Sequence, residues 1–341
     1  MPWAAGFRLG LALRRGAYRR GWLKTRRLSR PVVSVGNITT GGTGKTPLVA
    51  YIARRLRARG FRPGILTRGY GRRGGADVLV LGRNRQQDVN PREVGDEPAL
   101  LAKMLPEVPI VVGADRYRGG RLAEERLDVD VHLLDDGFQH WGLARDVDIV
   151  TLDATQPLSD RELLPAGRQR EPNCALERAH MIVFTRTELS DPQPLEEDVR
   201  RINPHAAMFR SRTRLRELID LATGRACPPG ALVGERVVAL CAIGNPAAFF
   251  ADVRKWGYMV SGQYSFRDHH VYRDEDLLPI MQKAAESGAK ALVTTEKDAM
   301  NLPSFRRGEI PLLACAMEIE LEEAEQFEQA LLERLAPSGK N

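Results

Sequence analysis

The chain has 341 residues and a formal net charge of +7, with 43% hydrophobic and 28% charged residues, a composition that excludes a disordered chain and leaves room for two domains. Its four cysteines, Cys174, Cys227, Cys241 and Cys315, show no C-x-x-C spacing, which argues against a disulfide framework or a zinc site and fits a reducing compartment. The sequence pI of about 9.4 points to an anionic partner without saying which.

The charge excess starts at the amino terminus, where Arg8, Arg14, Arg15, Arg19, Arg20, Lys24, Arg26, Arg27 and Arg30 occur within 1–30 and no Asp or Glu does. On a helical wheel Trp3, Phe7, Leu11, Tyr18 and Trp22 fall on one side, with Leu9 and Leu13 off the stripe and Arg14 inside it. No apolar run approaches the roughly 20 residues of a spanning helix. Arginines interrupt the apolar stretch and no small-residue cleavage site follows, so a secretory signal is not expected. A basic amphipathic helix at a membrane interface, over 1–30, is the reading that uses both the aromatic stripe and the arginines; a basic helix packed on its own domain is the alternative.

Next comes V-V-S-V-G-N-I-T-T-G-G-T-G-K-T-P over 32–47, an apolar strand running into a glycine-rich loop and then a helix over 48–59. Gly41, Gly42 and Gly44 lack a Cβ, so the backbone N–H groups of Gly41, Gly42, Thr43 and Gly44 can crowd phosphate oxygens. Lys45 would add a point charge and Thr46 a hydroxyl for Mg²⁺. The first glycine of G-x-x-x-x-G-K-[ST] is replaced by Thr39.

Strands are predicted over 63–68 and 77–81, both short and apolar enough to be buried, then a helix over 96–104, a strand over 109–112, a helix over 116–126 and a strand over 129–134. With further strands over 148–152 and 181–185, this alternation predicts a P-loop NTPase-like α/β domain over 31–212, a mostly parallel sheet with helices on both faces. A strand-like linker over 213–235 leads to a second, smaller α/β domain over 236–320, with strands over 236–241, 291–295 and 312–317 and a helix over 247–255. The acidic stretch 318–335 is expected to close the chain as a helix, within a carboxy-terminal helix and tail over 321–341.

Asp135 and Asp136 follow the strand over 129–134, at the carboxyl end where parallel sheets bind ligands, so one carboxylate can serve Mg²⁺ and the other a ligand water or a neighbouring side chain. Two solvated acids in a turn are the plain alternative. Asp96 opens a helix and could be only an N-cap, and Phe266-Arg267-Asp268-His269-His270 could be a surface turn. A phosphotransferase acting on an alcohol nevertheless needs a group to take the hydroxyl proton, and a carboxylate assisted by His suits that task.

The ordered set S-V-G-N-I-T-T-G-G-T-G-K-T-P, T-R-G-Y-G-R, V-G-D-E, L-L-D-D-G-F-Q-H, L-L-P-A-G-x-x-R-E, F-R-D-H-H and T-T-E-K-D, from about 32 to 298, resembles the tetraacyldisaccharide 4'-kinase family of lipid A biosynthesis. The resemblance implies ATP and Mg²⁺ as cofactors, and transfer of the γ-phosphoryl group to the 4'-hydroxyl of a tetraacylated glucosamine disaccharide 1-phosphate, giving lipid IVA. It further implies Lys45 and Thr46 on the phosphates and metal, an acidic pair Asp135 and Asp136, and an Asp96–His269 base dyad. Tyr70 is expected on the nucleotide side, Glu97 and Glu171 on the metal side, and Arg170 on the transferring charge. Asn301 stands where the family usually carries a basic residue. A lipid acceptor also suits a peripheral protein at the cytoplasmic face of the bacterial inner membrane, touching anionic lipid through its amino terminus. A monomer without a nucleic-acid partner is expected. The rival is a membrane-associated ATPase switch of the partitioning type, which would carry a lysine where this chain has Thr40.

Overall fold

The computed structural model describes residues 2–70, 72, 77–82, 89–158, 162–302 and 310–336, with side chains from residue 6 onward. The chain divides into two units, Met1–Arg212 with Glu320–Asn341, and Thr213–Ile319.

The first unit runs α1 (Pro2–Arg19), β1 (Val32–Gly36), α2 (Lys45–Ala58), β2 (Pro63–Thr67), β3 (Val78–Leu81), α3 (Pro91–Val94), α4 (Asp96–Met104), β4 (Ile110–Gly113), α5 (Arg116–Arg126), β5 (Val131–Asp135), β6 (Val147–Asp153), β7 (Met181–Thr185), α6 (Gln193–Ile202) and the start of β8 (Ala207–Asp220). Its sheet order is β8-β7-β6-β1-β5-β2-β4-β3. Every pairing is parallel except β3 with β4. The inner strands are apolar on both faces because helices cover both. Register places Val32, Leu134, Leu66 and Val111 on one face, where they pack with Ala123 of α5. Val150, Ile182 and Phe184 share that face and meet Leu195 and Val199 of α6. The opposite face carries α2 and α10 (Ala324–Leu335), joined by Tyr51 against Phe327 and Phe327 against Phe209.

The second unit continues with β9 (Ala226–Cys227), β10 (Arg236–Cys241), α7 (Pro246–Lys255), β11 (Met259–Ser265), α8 (Asp274–Glu286), β12 (Ala291–Thr295), α9 (Glu296–Ala299) and β13 (Leu312–Leu321). Strands β11-β10-β12-β13 pair in parallel. Alternation sorts its core: Val237, Ala239 and Cys241 face Phe249, Phe250 and Val253 of α7, while Val238 and Leu240 face Leu277, Ile280 and Ala284 of α8.

Several expectations are revised. β3 is a half-buried antiparallel edge strand instead of a buried one, because among the described residues it has a neighbour strand on one side alone. Residues 213–220, the strand-like start of the expected linker, are indeed strand and continue β8. The acidic carboxy-terminal stretch is strand up to Leu321 before it becomes α10, since Ile319 and Leu321 are buried while Glu318 and Glu320 between them are not. The four cysteines, expected as small hydrophobes of the core, divide: Cys241 and Cys315 are buried, Cys174 is exposed and Cys227 half-buried. Residues 337–341 of the expected tail lie outside the described residues.

The amino-terminal helix stops at Arg19, so Trp22 is not on it and stands 72% exposed; the side chain of Trp3 lies outside the described residues. The stripe of Phe7, Leu11 and Tyr18 is half-buried on the protein's own side, with Tyr18 stacked on Trp141. Leu9 and Leu13, 61% and 65% exposed, face outward with Trp22 and Leu23. No helix among the described residues is long and apolar enough to cross a membrane.

Candidate active site

Strand β1 feeds the glycine-rich loop, and Gly44, in the left-handed region at φ 80°, turns the chain into α2. Among the described residues no amide from Gly41 to Thr46 donates to a backbone carbonyl, so the loop and the first turn of α2 present a row of open donors at the positive end of a helix dipole. Thr43 is buried, and its hydroxyl joins the Asn37 amide at 2.9 Å and the Thr151 hydroxyl at 2.7 Å, which ties the loop to β6. What Thr43 can offer a phosphate is therefore its backbone N–H.

β5 lies beside β1 with Asp135 opposite Val35, which brings the acidic pair to the loop. The two carboxylates differ sharply. Asp136, at φ 54°, sits between Lys45, whose Nζ is 3.7 Å from Oδ1, and Arg170, whose Nη1 donates to Oδ2 at 2.6 Å. Burial pushes Asp136 up, but Lys45 and Arg170 outweigh it and hold the carboxyl below its ordinary value. Asp135 is 1% exposed, and neither of its oxygens has a hydrogen-bond partner among the described residues. Burial, followed by the charges of Glu97 and Asp136, drives it well above the usual carboxylate range.

Arg170 reaches the site because 162–171 runs alongside the loop: Arg170 N donates to Ile38 O at 2.7 Å, and Thr40 N to Arg168 O at 2.7 Å. Glu171, expected on the metal side, has both oxygens engaged by Arg178 at 2.7 and 2.8 Å. Asp96 is buried at the first turn of α4 and accepts the Glu97 N–H at 2.9 Å. Its placement depends on a close backbone approach. A Cβ at Gly95, φ 98°, would come within 3.0 Å of Tyr70 O, and one at Gly69 within 2.7 Å of Val94 O. The T-R-G-Y and V-G-D-E motifs therefore meet through two glycines, while the Tyr70 side chain points outward, 67% exposed.

Residue patterns alone missed three members of this neighbourhood. Arg116, at the start of α5, is buried and shifted down to about 10, by burial first and Arg68 second, against the pull of Asp136 and Asp135. Arg178 clamps Glu171 and lies over the Phe138 ring at 3.6 Å. His140 is lowered to about 4 by burial and then by Arg116 and Arg145, so it is neutral at physiological pH. The usable signal for Arg116 was its place just after a parallel strand, at the ligand-binding edge.

His269 belongs to the second unit, at φ 62°. Its N–H donates to Ala242 O at 3.3 Å, and its Nε2 lies 3.8 Å from Asp268, which also meets Lys297 at 3.3 Å. Asp298, 2% exposed, accepts from Ala242 N at 2.9 Å, from the Tyr272 hydroxyl at 3.1 Å and from the Thr295 hydroxyl at 2.6 Å. T-T-E-K-D is thus the scaffold under F-R-D-H-H. Asn301 takes part through its backbone, accepting from Tyr272 N at 3.2 Å.

A loop of open amides, a lysine from the following helix and a carboxylate pair on the adjacent strand define a P-loop kinase, an enzyme that moves phosphoryl groups from nucleotide. The family model described as tetraacyldisaccharide-1-P 4'-kinase matches residues 1–336. The tetraacyldisaccharide 4'-kinase of Geobacter metallireducens is 39% identical over 328 residues, 95% of this chain and 94% of that protein. The one from Koribacter versatilis is 40% identical over 330 residues, 95% of each. The crystal structure of LpxK from Aquifex aeolicus in complex with ATP superposes with a TM-score of 0.77 at 32% identity, covering 98% of both chains. The chain belongs to the tetraacyldisaccharide-1-P 4'-kinase family, and none of these matches favours the partitioning-type switch.

Proposed function

We propose that this chain transfers the γ-phosphoryl group of ATP to the 4'-hydroxyl of tetraacyldisaccharide 1-phosphate, forming lipid IVA in lipid A biosynthesis. The observation that carries the chemistry is the split acidic pair: Asp136 anchored by Lys45 and Arg170 beside an Asp135 with no hydrogen-bond partner among the described residues, both next to the amide-rich loop. Open amides and Lys45 bind the triphosphate. Arg170 and Lys45 neutralise the charge that develops on the three equatorial oxygens as the bond between the β,γ-bridging oxygen and the γ-phosphorus breaks and the bond to the sugar oxygen forms. Asp96 takes the hydroxyl proton and His269 orients or shares it; ADP leaves.

The donor set fits Mg²⁺. Among the described residues no three His, Cys, Asp or Glu side chains form a ready cage, but Mg²⁺ is typically held by one or two carboxylates plus substrate phosphates. Asp135, the Thr46 hydroxyl and Glu97 would hold it, and when bound it offsets phosphate charge. Glu171 is a weaker candidate given its pairing with Arg178.

The lipid acceptor agrees with the amino-terminal region. A cavity of about 400 Å³, within the range of small-molecule sites, lies between α1 and Trp141, Leu163 and Pro172, rimmed by Arg8 and Arg15 and bordered by Glu171. Outward Leu9, Leu13 and Trp22 with their arginines suit an anionic bilayer surface, which supports reading the enzyme as peripheral at the cytoplasmic face of the inner membrane. Incubation with labelled ATP, Mg²⁺ and tetraacyldisaccharide 1-phosphate in detergent tests the reading: labelled bis-phosphorylated lipid supports it, and ATP hydrolysis without labelled lipid defeats it.

A further inference from the structure

The peptide units of the phosphate loop are oriented from outside the loop. In a trans peptide the C=O and the following N–H point opposite ways, so whatever holds a carbonyl also aims the next amide. Thr185, the last residue of β7, shares its one hydroxyl proton between Thr43 O at 3.3 Å and Leu152 O of β6 at 3.4 Å. Arg186 follows at φ 59°, an uncommon conformation for a residue with a Cβ. Its Nη1 reaches Gly42 O at 3.0 Å and the buried Asp153 carboxylate at 2.7 Å. From the other side of the loop, Arg168 Nη2 donates to Thr40 O at 3.2 Å. The three held carbonyls precede the amides of Gly41, Thr43 and Gly44, all of them among the open donors.

We infer that Arg186, with Thr185, is a positioning residue for nucleotide binding, fixing the Gly42 and Thr43 carbonyls outward so that the next two amides are presented to the ATP phosphates. The inference rests on the proposed reading of the loop as the ATP site. Arg186 suits the task because one fixed guanidinium nitrogen bridges a loop carbonyl and a carboxylate that is 1% exposed, whereas an ammonium on a flexible stem holds that geometry less firmly. Without the brace the Gly42–Thr43 peptide is free to rotate, and ATP binding has to order it.

The test uses the full chain in detergent with steady-state kinetics in both substrates, on Arg186→Gln, Arg186→Lys and the nearly isosteric Thr185→Val. Arg186→Gln is expected to raise KM for ATP by about tenfold, the usual scale for a supporting residue behind a binding group, with KM for the lipid unchanged. Arg186→Lys should recover part of the loss, and Thr185→Val should raise KM for ATP in the same direction. An unchanged KM for ATP in Arg186→Gln overturns the inference, as does an equal rise in both KM values, which would mark general loosening. Should the Arg186 variants fail to fold, Thr185→Val decides alone by the same criteria. Lys45→Ala separates the two levels: if it leaves KM for ATP and ATP-induced thermal stabilisation intact, the loop reading itself is wrong; if it abolishes them while the brace variants behave as wild type, the brace alone is refuted.

Discussion

Replacing Asp135 with Asn should stabilise the ligand-free protein while destroying its activity. Asp135 is 1% exposed, has no hydrogen-bond partner among the described residues, and faces Glu97 and Asp136 as like charges. Leaving a buried polar group unsatisfied costs about 1–3 kcal/mol, and more when it is charged. Asn keeps the shape and removes the charge. A gain of about 1–3 kcal/mol, at roughly 2–4 °C per kcal/mol for a unit of this size, raises Tm by several degrees. The pH dependence identifies the cause. The folded-state pKa of Asp135 is raised above its unfolded value, so its contribution to stability is fully present below about pH 3.9 and is lost as pH climbs to the folded value. The variant and the wild type should therefore converge towards acidic pH and separate as pH rises through neutrality. Thermal unfolding of both proteins between pH 5 and 9 measures the gap, and ATP with Mg²⁺ should narrow it by stabilising the wild type alone. A variant no more stable than wild type at pH 8, or a gap constant across the range, refutes the reasoning.

Asp96→Ala and His269→Ala should each lower kcat by about 10²–10⁴, the usual worth of general acid–base help, without raising KM for ATP; near-normal kcat at saturating substrates would sink the dyad. Leu9→Glu with Leu13→Glu places two charges on the exposed face of α1 and should weaken sedimentation with anionic vesicles while leaving activity on detergent-solubilised substrate intact. Asp298→Ala strands the Ala242 amide and the Tyr272 hydroxyl in a buried setting. It should destabilise the second unit by about 1–3 kcal/mol per unsatisfied group, read as faster hydrogen exchange around 242–245 and 266–272.

Periodicity and turn chemistry located the elements that carry the site, because β1, the loop, α2, α4 and β5 have strong local signals: a buried apolar strand, glycines, a Gly-Asp helix start. Elements decided by neighbours were harder. The alternation in 318–321 reads as an acidic helix until the register of β13 shows which side chains reach the core. The stripe of Phe7, Leu11 and Tyr18 reads equally as a lipid face or a protein face, and a partner 123 residues away, Trp141 stacked on Tyr18, makes it the latter. Arg178 and Arg186 were invisible for the same reason. An arginine in a sequence is a solvated charge until a carboxylate or a carbonyl distant in the chain is shown to receive it. Motif spacing likewise put Asp135 and Asp136 at one site but could not distinguish them.

That distinction governs how the site works. Two adjacent carboxylates whose environments push their proton affinities apart have different tasks. Asp136 is neutralised within the protein: Lys45 and Arg170 hold it ionised, and it in turn fixes the two cations at the loop, ahead of any ligand. Asp135 is left without a counter-charge in contact among the described residues, so the ligand-free protein carries a buried acid that none of them satisfies. The preorganisation of Lys45 and Arg170 and the electrostatic strain at Asp135 both trace to the end of β5, where Asp135 closes the strand and Asp136, in the left-handed region at φ 54°, turns the chain beside the loop. A divalent cation arriving with ATP would find the second carboxylate already desolvated, and binding would relieve a cost that folding has already incurred.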